Sequence, residues 1–127
     1  MGNILVCVTG QRTCEKLIRE GAKIADARHS KLFVLHVMRT GEKILGQEDS
    51  SEALEFLFRV SGDNNAEMNV VRSDDVPGAI AGVTRRNGID TVVLGVSDRS
   101  RARRLNPAST LRYRLPDVEF VELITGE

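Results

Sequence analysis

The sequence predicts an α/β fold, a doubly wound parallel five-stranded sheet with helices on both faces. Three runs, at residues 4–8, 32–38 and 89–94, are apolar at nearly every position, which is typical of strands that are covered on both faces. Segments with helical spacing of apolar residues follow the first two runs. The chain has 127 residues, of which 41% are hydrophobic. We therefore expect one domain over residues 1–127.

Charge and composition exclude several classes of function. Lys and Arg together number 18, as do Asp and Glu, and the resulting zero net charge argues against a general nucleic-acid binder. The sequence contains no signal-peptide pattern and no apolar run of membrane-spanning length, so we expect a cytoplasmic protein with no membrane partner. Cys7 and Cys14 lack the CxxC spacing, and we interpret them as reduced thiols.

The first third of the chain predicts a strand, a helix and a second strand. Residues 4–8 form the first strand, and Thr13 is a candidate cap for a helix that ends near residues 29–30. Its inner face comprises Leu17, Ile18, Gly21, Ala22, Ile24 and Ala25, and the small residues at positions 21 and 22 permit a close approach to the sheet. The second strand, residues 32–38, contains His36. We interpret it as a hydrogen-bonded structural histidine because no Cys, Asp or second His stands at a metal-binding spacing.

The middle of the chain predicts two helices around a strand. Ser50–Ser51 begins a helix that ends near Gly62, with an apolar face of Leu54, Leu57 and Phe58. Residues 66–72 alternate more, which indicates a strand near the sheet edge. Asp74 or Asp75 caps the next helix, with Pro77 in its first turn, and Asn87–Gly88 ends it. The two aspartates are a weaker signal for a metal, and we expect none.

The stretch from Thr91 to Thr110 is the most informative part of the sequence. The strand over residues 89–94 breaks at Gly95 and is followed by a polar loop that contains four arginines. Pro107 starts a short helix through about Leu115, and residues 118–124 form a last strand. Right-handed crossovers then give the strand order 3-2-1-4-5.

This order predicts a ligand site where strands one and four end. Thr9–Gly10 and Gly95 face the same crevice, because ligands of open α/β sheets bind at the carboxyl ends of neighbouring strands where the order reverses. Loop amides, a helix N-terminus and guanidinium groups all favour an anion there. The alternative is a solvated basic loop with no ligand.

The pattern resembles the universal stress protein family over residues 3–124. The resemblance is based on residues 4–10 (ILVCVTG), Leu35-His36-Val37, Asp75-Val76-Pro77 and the loop from Gly95 to Ser109. It implies the fold of the adenine nucleotide alpha hydrolase-like proteins. Within the family, ILVCV and SDRSRARR are most similar to the stress-protein domain of osmosensing potassium sensor kinases.

The ATP-binding branch of that family has the loop pattern G-x2-G-x9-G-[S/T]. Here Gly95 and Ser109 match its first glycine and its hydroxyl, but Asp98 and Ala108 replace the other two glycines. Glycine lets a phosphate approach the backbone closely, whereas a carboxylate at position 98 repels a polyphosphate. The resemblance implies a nucleotide site composed of Val8, Thr9, Gly10, Val37, Gly95, Asp98, Arg99, Arg101, Ala108, Ser109 and Thr110.

Two functions remain open from the sequence. The first is a non-catalytic stress-response or signalling module that binds ATP, another nucleotide or a phosphate ligand such as a cyclic dinucleotide. The second is a ligand-free homodimeric module that pairs through the last strand, at Val118 and Phe120, and docks on a protein partner. The sequence contains no G-x-S-x-G, HExxH or Walker motif, so we do not expect an enzyme.

Overall fold

The structure is a computed structural model, and it describes residues 2–8, 14–38, 50–96 and 113–124. Strands and helices alternate along most of the chain. In order, the elements are β1 (Asn3–Val8), α1 (Cys14–Arg28), β2 (Leu32–Met38), α2 (Ser50–Asp63), β3 (Ala66–Arg72), α3 (Val76–Arg86), β4 (Ile89–Val96) and β5 (Glu119–Ile124).

The strands form one five-stranded sheet in the order β3-β2-β1-β4-β5, which confirms the predicted topology. All four pairings are parallel. β1 lies at the centre, where Val6 stands opposite Val34 of β2 and Val93 of β4. Because the strands are parallel, their carboxyl ends lie along one edge of the sheet and their amino ends along the other.

Two apolar cores cover the two faces of the sheet. One contains Val6 and Val34 with residues of α1 and α2, and the other contains Leu5 and Leu35 with residues of α3. A Leu or Ile side chain that is fully buried in this way stabilises the fold by about 1.5–3 kcal/mol. Burial on both faces explains why the inner strands are apolar at successive positions instead of alternating.

Helix α1 lies unusually close to the sheet at Gly21, as the small residues predict. A Cβ atom at this position would collide with Cγ2 of Val6 and would lie 3.2 Å from Cδ1 of Leu32. Gly21 is buried, and the inner face of α1 also buries Leu17 and Ile18. The contact therefore favours glycine, because a Cβ atom at this position would overlap the Val6 side chain.

Helix α3 has the predicted start and end. The Asp75 carboxylate accepts a hydrogen bond from the backbone N–H of Gly78 (3.1 Å), and Pro77 lies in the first turn. At the other end, Asn87 donates its backbone N–H to the Val83 carbonyl, and Gly88 adopts a φ of 61° that favours glycine.

The predicted apolar face of α2 is wrong at Phe58. This side chain is 55% exposed, whereas Leu57, Val60 and Ser61 are buried. Successive helical residues are rotated by about 100°, so Phe58 turns away from the sheet when Leu57 faces it. Leu54 lies among the residues whose side chains are outside the description.

The predicted break at Gly95 is also wrong. Strand β4 continues through Gly95 and Val96, which pair with Leu123 and Ile124 of β5. The ladder to β5 overrides the low strand propensity of glycine, because each added residue gains backbone pairing with a neighbour already in place.

A polar network joins α1, β4 and β5 at the amino-terminal edge of the sheet. The Arg28 guanidinium donates to Oγ1 of the fully buried Thr91 (2.7 Å) and to the carboxylate of Glu119 (3.2 Å). Thr91 in turn donates to Asp90 (3.1 Å), whose other carboxylate oxygen accepts the backbone N–H of Gly2 (3.0 Å). These bonds fix the end of α1 to three separate segments of the chain.

Candidate functional site

The carboxyl ends of β1 and β4 meet at the predicted place. Cys7 stands opposite Leu94 in the ladder between these strands, so Val8 and Gly95 are the next residue of each. The residues that follow these positions in the sequence are those of the predicted crevice. The juxtaposition follows from strand order and register alone.

Three of the predicted site residues lie within the described structure. Val8 is buried in the core on the α1 and α2 face, whereas Val37 packs against the core on the α3 face. Gly95 is half-buried within β4. The two valines therefore bracket the edge of the sheet from opposite faces. The other predicted residues lie outside the described ranges and keep the status of predictions: Thr9, Gly10, Asp98, Arg99, Arg101, Ala108, Ser109 and Thr110.

His36 contacts the last residue of β1. Its Nδ1 lies 3.1 Å from the carbonyl oxygen of Val8, its register partner, and the side chain is only 5% exposed. Because a carbonyl can only accept, Nδ1 is the nitrogen that carries the proton. Its other ring nitrogen, Nε2, is buried and has no hydrogen-bond partner among the described residues. The sequence predicted the bonded histidine but gave no sign of the unpartnered Nε2.

Cys7 lies one residue before this point, and its thiol is a free one. Desolvation by burial raises the pKa of Cys7 to about 12. The thiol is therefore protonated at neutral pH and is not a nucleophile there, since the thiolate is the reactive form. Its side chain packs against the core on the α3 face.

The segment that follows the arginine-rich loop is anchored beside the N-terminus of α3. Leu115 is buried in the core on the α3 face. Arg114 lies 3.5 Å from the carboxylate of Asp75, the capping residue of α3, and both side chains are largely exposed. One arginine of the 99–114 segment is thus paired with an acid, while the neighbouring Tyr113 is 92% exposed.

Within residues 2–8, 14–38, 50–96 and 113–124, no group of three or more His, Cys, Asp or Glu side chains is placed to hold a metal ion. Likewise, no helix in the described ranges combines the length and the apolar character needed to cross a membrane.

A polar cleft of about 390 Å³ opens at the opposite, amino-terminal edge of the sheet. It lies where α1 and α2 end, and its lining includes Asp26, Lys31, Asn64 and Glu67. None of the predicted site residues contributes to it. Sequence reasoning missed this cleft because its walls come from two helix ends that are distant in the chain.

The fold is a doubly wound parallel sheet in which the carboxyl ends of β1 and β4 are neighbours, and this class of α/β sheet binds ligands at such a place. The model of the universal stress protein family matches residues 1–113. The chain belongs to this family, which confirms the resemblance drawn from the sequence.

Two bacterial sensor proteins contain a similar segment. The chain is 34% identical over 102 residues to the sensor protein KdpD of Mycobacterium tuberculosis strain H37Rv, a match that covers 80% of this chain and 12% of that protein. It is 33% identical over 122 residues to a putative sensor protein KdpD of Synechocystis, covering 94% of this chain and 32% of that protein. The chain thus spans a third or less of the length of these relatives.

Solved structures share the fold at low sequence identity. A universal stress protein in complex with cAMP has a TM-score of 0.71 at 12% identity, covering 98% of each chain. The universal stress protein from Archaeoglobus fulgidus in complex with dAMP has a TM-score of 0.64 at 17% identity, covering 96% of this chain and 97% of that chain. These likenesses confirm the α/β architecture.

Proposed function

We propose that this protein is a non-catalytic stress-response or signalling module of the cytoplasm that binds a nucleotide at the carboxyl edge of β1 and β4. The observation that supports it most is the parallel pairing of these two strands, which makes their carboxyl ends neighbours at the place where the sequence predicts the crevice. Two proteins of the same fold have been solved with cAMP and with dAMP, which supports an adenine nucleotide as the ligand.

The charge of the segment after β4 favours a ligand with few phosphates. Arg99 and Arg101 offer guanidinium groups to an anion. Asp98 stands where the family pattern has a glycine, and its carboxylate repels each phosphate that is added to the ligand. We therefore expect AMP or cAMP to bind more tightly than ATP.

Released-ligand analysis and thermal shifts test this function. The natively purified protein is denatured and searched for nucleotide by mass spectrometry, and the ligand-free protein is then titrated with AMP, cAMP, ADP, ATP and a cyclic dinucleotide. A ligand at 100 times its dissociation constant stabilises the fold by about 2.7 kcal/mol, which raises the melting temperature by several degrees. Absence of both a released nucleotide and any shift would refute the proposal.

The Asp98→Gly variant tests the role of the carboxylate. It is expected to gain affinity for ATP more than for AMP, because the repulsion that it removes grows with the charge of the ligand. Asp117→Gly is the matched control, since Asp117 is an exposed acid in the turn before β5, at the other edge of the sheet. Equal ATP affinity in the wild type and Asp98→Gly would show that Asp98 is no obstacle.

A ligand-free interaction module is the second candidate, and the position of β5 favours it. In the described sheet β5 is an edge strand that pairs with β4 alone, and its Phe120, Val121 and Leu123 are only half-buried. Such an edge offers backbone groups and apolar side chains to a second copy. We propose a homodimer through this strand, with Val118 beside it, and a protein partner as the other possible occupant.

Light scattering tests the dimer. Phe120→Glu places a charge in the proposed interface and is expected to shift the protein toward the monomer. Val70→Glu is the control, because Val70 is an exposed residue of β3, the other edge strand. A wild-type protein that is monomeric at all concentrations, or a Phe120→Glu protein that stays dimeric, would contradict the interface.

A further inference from the structure

His36 lies in the buried strand β2, and its side chain contacts the last residue of β1. The predicted site residues follow that residue in the sequence. Val8 is the last residue of β1, and it pairs with His36 in the last step of the ladder to β2. The ladder to β4 ends one residue earlier, at Cys7 and Leu94. At the end of β1, the imidazole therefore supplies a donor to a backbone carbonyl that lies at the limit of the sheet.

The two ring nitrogens of His36 differ in their hydrogen bonding. Nδ1 donates to the Val8 carbonyl, whereas Nε2 is buried and finds no partner within the described part of the chain. A phenylalanine has a similar shape and would fill the same space without an unsatisfied polar atom. What histidine adds at this position is the bond from Nδ1 to the Val8 carbonyl.

We propose that His36 is a positioning residue of the nucleotide site. Its bond to the Val8 carbonyl fixes the orientation of the last peptide group of β1, the point from which the chain continues to Thr9 and Gly10. This inference rests on the proposed function, since Thr9 and Gly10 are the residues that the ligand would meet. In this role, the buried His36 side chain affects ligand affinity indirectly, through the backbone of β1.

Two substitutions separate the effect of the Nδ1 hydrogen bond from the effect of the volume of the ring. His36→Asn keeps a side-chain amide N–H close to the place of Nδ1, whereas His36→Phe keeps the shape and removes the donor. Ser61→Ala is the matched control, because Ser61 is also buried with an unpartnered polar atom but lies near the end of α2, toward the opposite edge. AMP and cAMP are the probes, and affinity is measured by calorimetry well below each melting temperature.

We expect His36→Phe to bind the better probe about tenfold more weakly, and His36→Asn and Ser61→Ala to bind within about threefold of the wild type. In the ligand-free protein, the backbone amide resonances of Thr9 and Gly10 should shift in His36→Phe and stay in place in Ser61→Ala. A role in packing alone would not produce rescue by asparagine. Wild-type affinity in His36→Phe, or equal weakening in His36→Asn, would overturn the inference while leaving the proposed function intact.

Nitrogen-15 labelling of histidine provides a measurement that needs no variant. The geometry requires the His36 tautomer protonated at Nδ1, whose two ring nitrogens have distinct chemical shifts. Observation of the tautomer protonated at Nε2 would overturn the inference. A wild-type protein that binds neither probe, with the expected tautomer present, would instead show that the proposed function fails and the positioning role with it.

Discussion

The two edges of the sheet are held in different ways. At the amino-terminal edge, Arg28 bonds the fully buried Thr91 and pairs with Glu119, and Asp90 links this network to Gly2. At the carboxyl-terminal edge, His36 forms a buried bond to Val8, and Arg114 forms an exposed pair with Asp75. The comparison indicates that the charged network at the amino-terminal edge holds distant chain segments together more strongly than the exposed ion pair at the other edge does.

The energies of the two kinds of contact explain the difference. A hydrogen bond from a charged group to a buried partner contributes about 1.5–3 kcal/mol, whereas an exposed ion pair contributes about 0–1 kcal/mol. Substitutions on the side of the amino-terminal edge should therefore change stability, and those at the carboxyl-terminal edge should change it less. Three predictions, in decreasing order of expected effect, test this division.

Gly21→Val should have the largest effect. The added side chain must displace α1 from Val6 and Leu32, and overpacking of this kind costs about 1–3 kcal/mol, on top of the poorer helix propensity of valine. Gly62→Ala, also in a helix, is the control: a Cβ there meets nothing within 4 Å and should be neutral or stabilise by up to about 1 kcal/mol. Urea unfolding measures both, and equal effects would contradict the close approach.

Arg28→Ala should destabilise the fold by about 1–2 kcal/mol, because it leaves the buried Thr91 hydroxyl without its donor. Arg19→Ala on the same helix removes only the exposed pair with Glu15 and should cost a few tenths, about 0.3–0.5 kcal/mol. Urea unfolding gives the free energies, and AMP titration should show the same affinity in both variants. A loss of AMP affinity in Arg28→Ala but not in Arg19→Ala would contradict the view that contacts at the amino-terminal edge affect stability alone.

Asp75→Ala should have the smallest effect, about 1 kcal/mol, through loss of the cap on α3. Asp75→Asn keeps an acceptor for the Gly78 N–H and loses only the exposed pair with Arg114, so it should cost about 0.5 kcal/mol or less. Thermal unfolding at low and high salt separates the contribution of the cap from that of the ion pair. An asparagine variant as unstable as the alanine variant would show that the ion pair, not the cap, stabilises this end.

The fold could be predicted because local signals agreed with one another. The continuous apolar run at β1 requires cover on both faces, and the cap at Asp75 and the end at Gly88 bound α3 without reference to distant residues. The predictions were wrong where a neighbouring element determines the structure. Phe58 is apolar but turns outward, and Gly95 stays in β4 because β5 pairs with it.

The neighbouring ends of β1 and β4, where we propose the site, could be predicted, but the contacts around them could not. Strand order alone predicts a crevice there, since topology fixes which strand ends are neighbours. The bond from His36 to Val8 depends on the register of two strands, and the network around Arg28 joins segments that no sequence period relates. Hydrogen bonds of this type leave no pattern in the residues that form them.

The central place of β1 also has a consequence for synthesis of the chain. The first strand meets its β4 neighbour only after most of the chain exists: Gly2 and Asp90, which bond across this pair, are 88 positions apart. Once the segment from β1 through β3 has been synthesised, it can form three strands and cover the face of the sheet that packs against α1 and α2. Its other face, with Leu5, Phe33 and Leu35, stays open until α3 arrives. Until α3 and β4 have been synthesised, this apolar surface has no cover, so we expect cooperative folding of the domain to wait for these two elements.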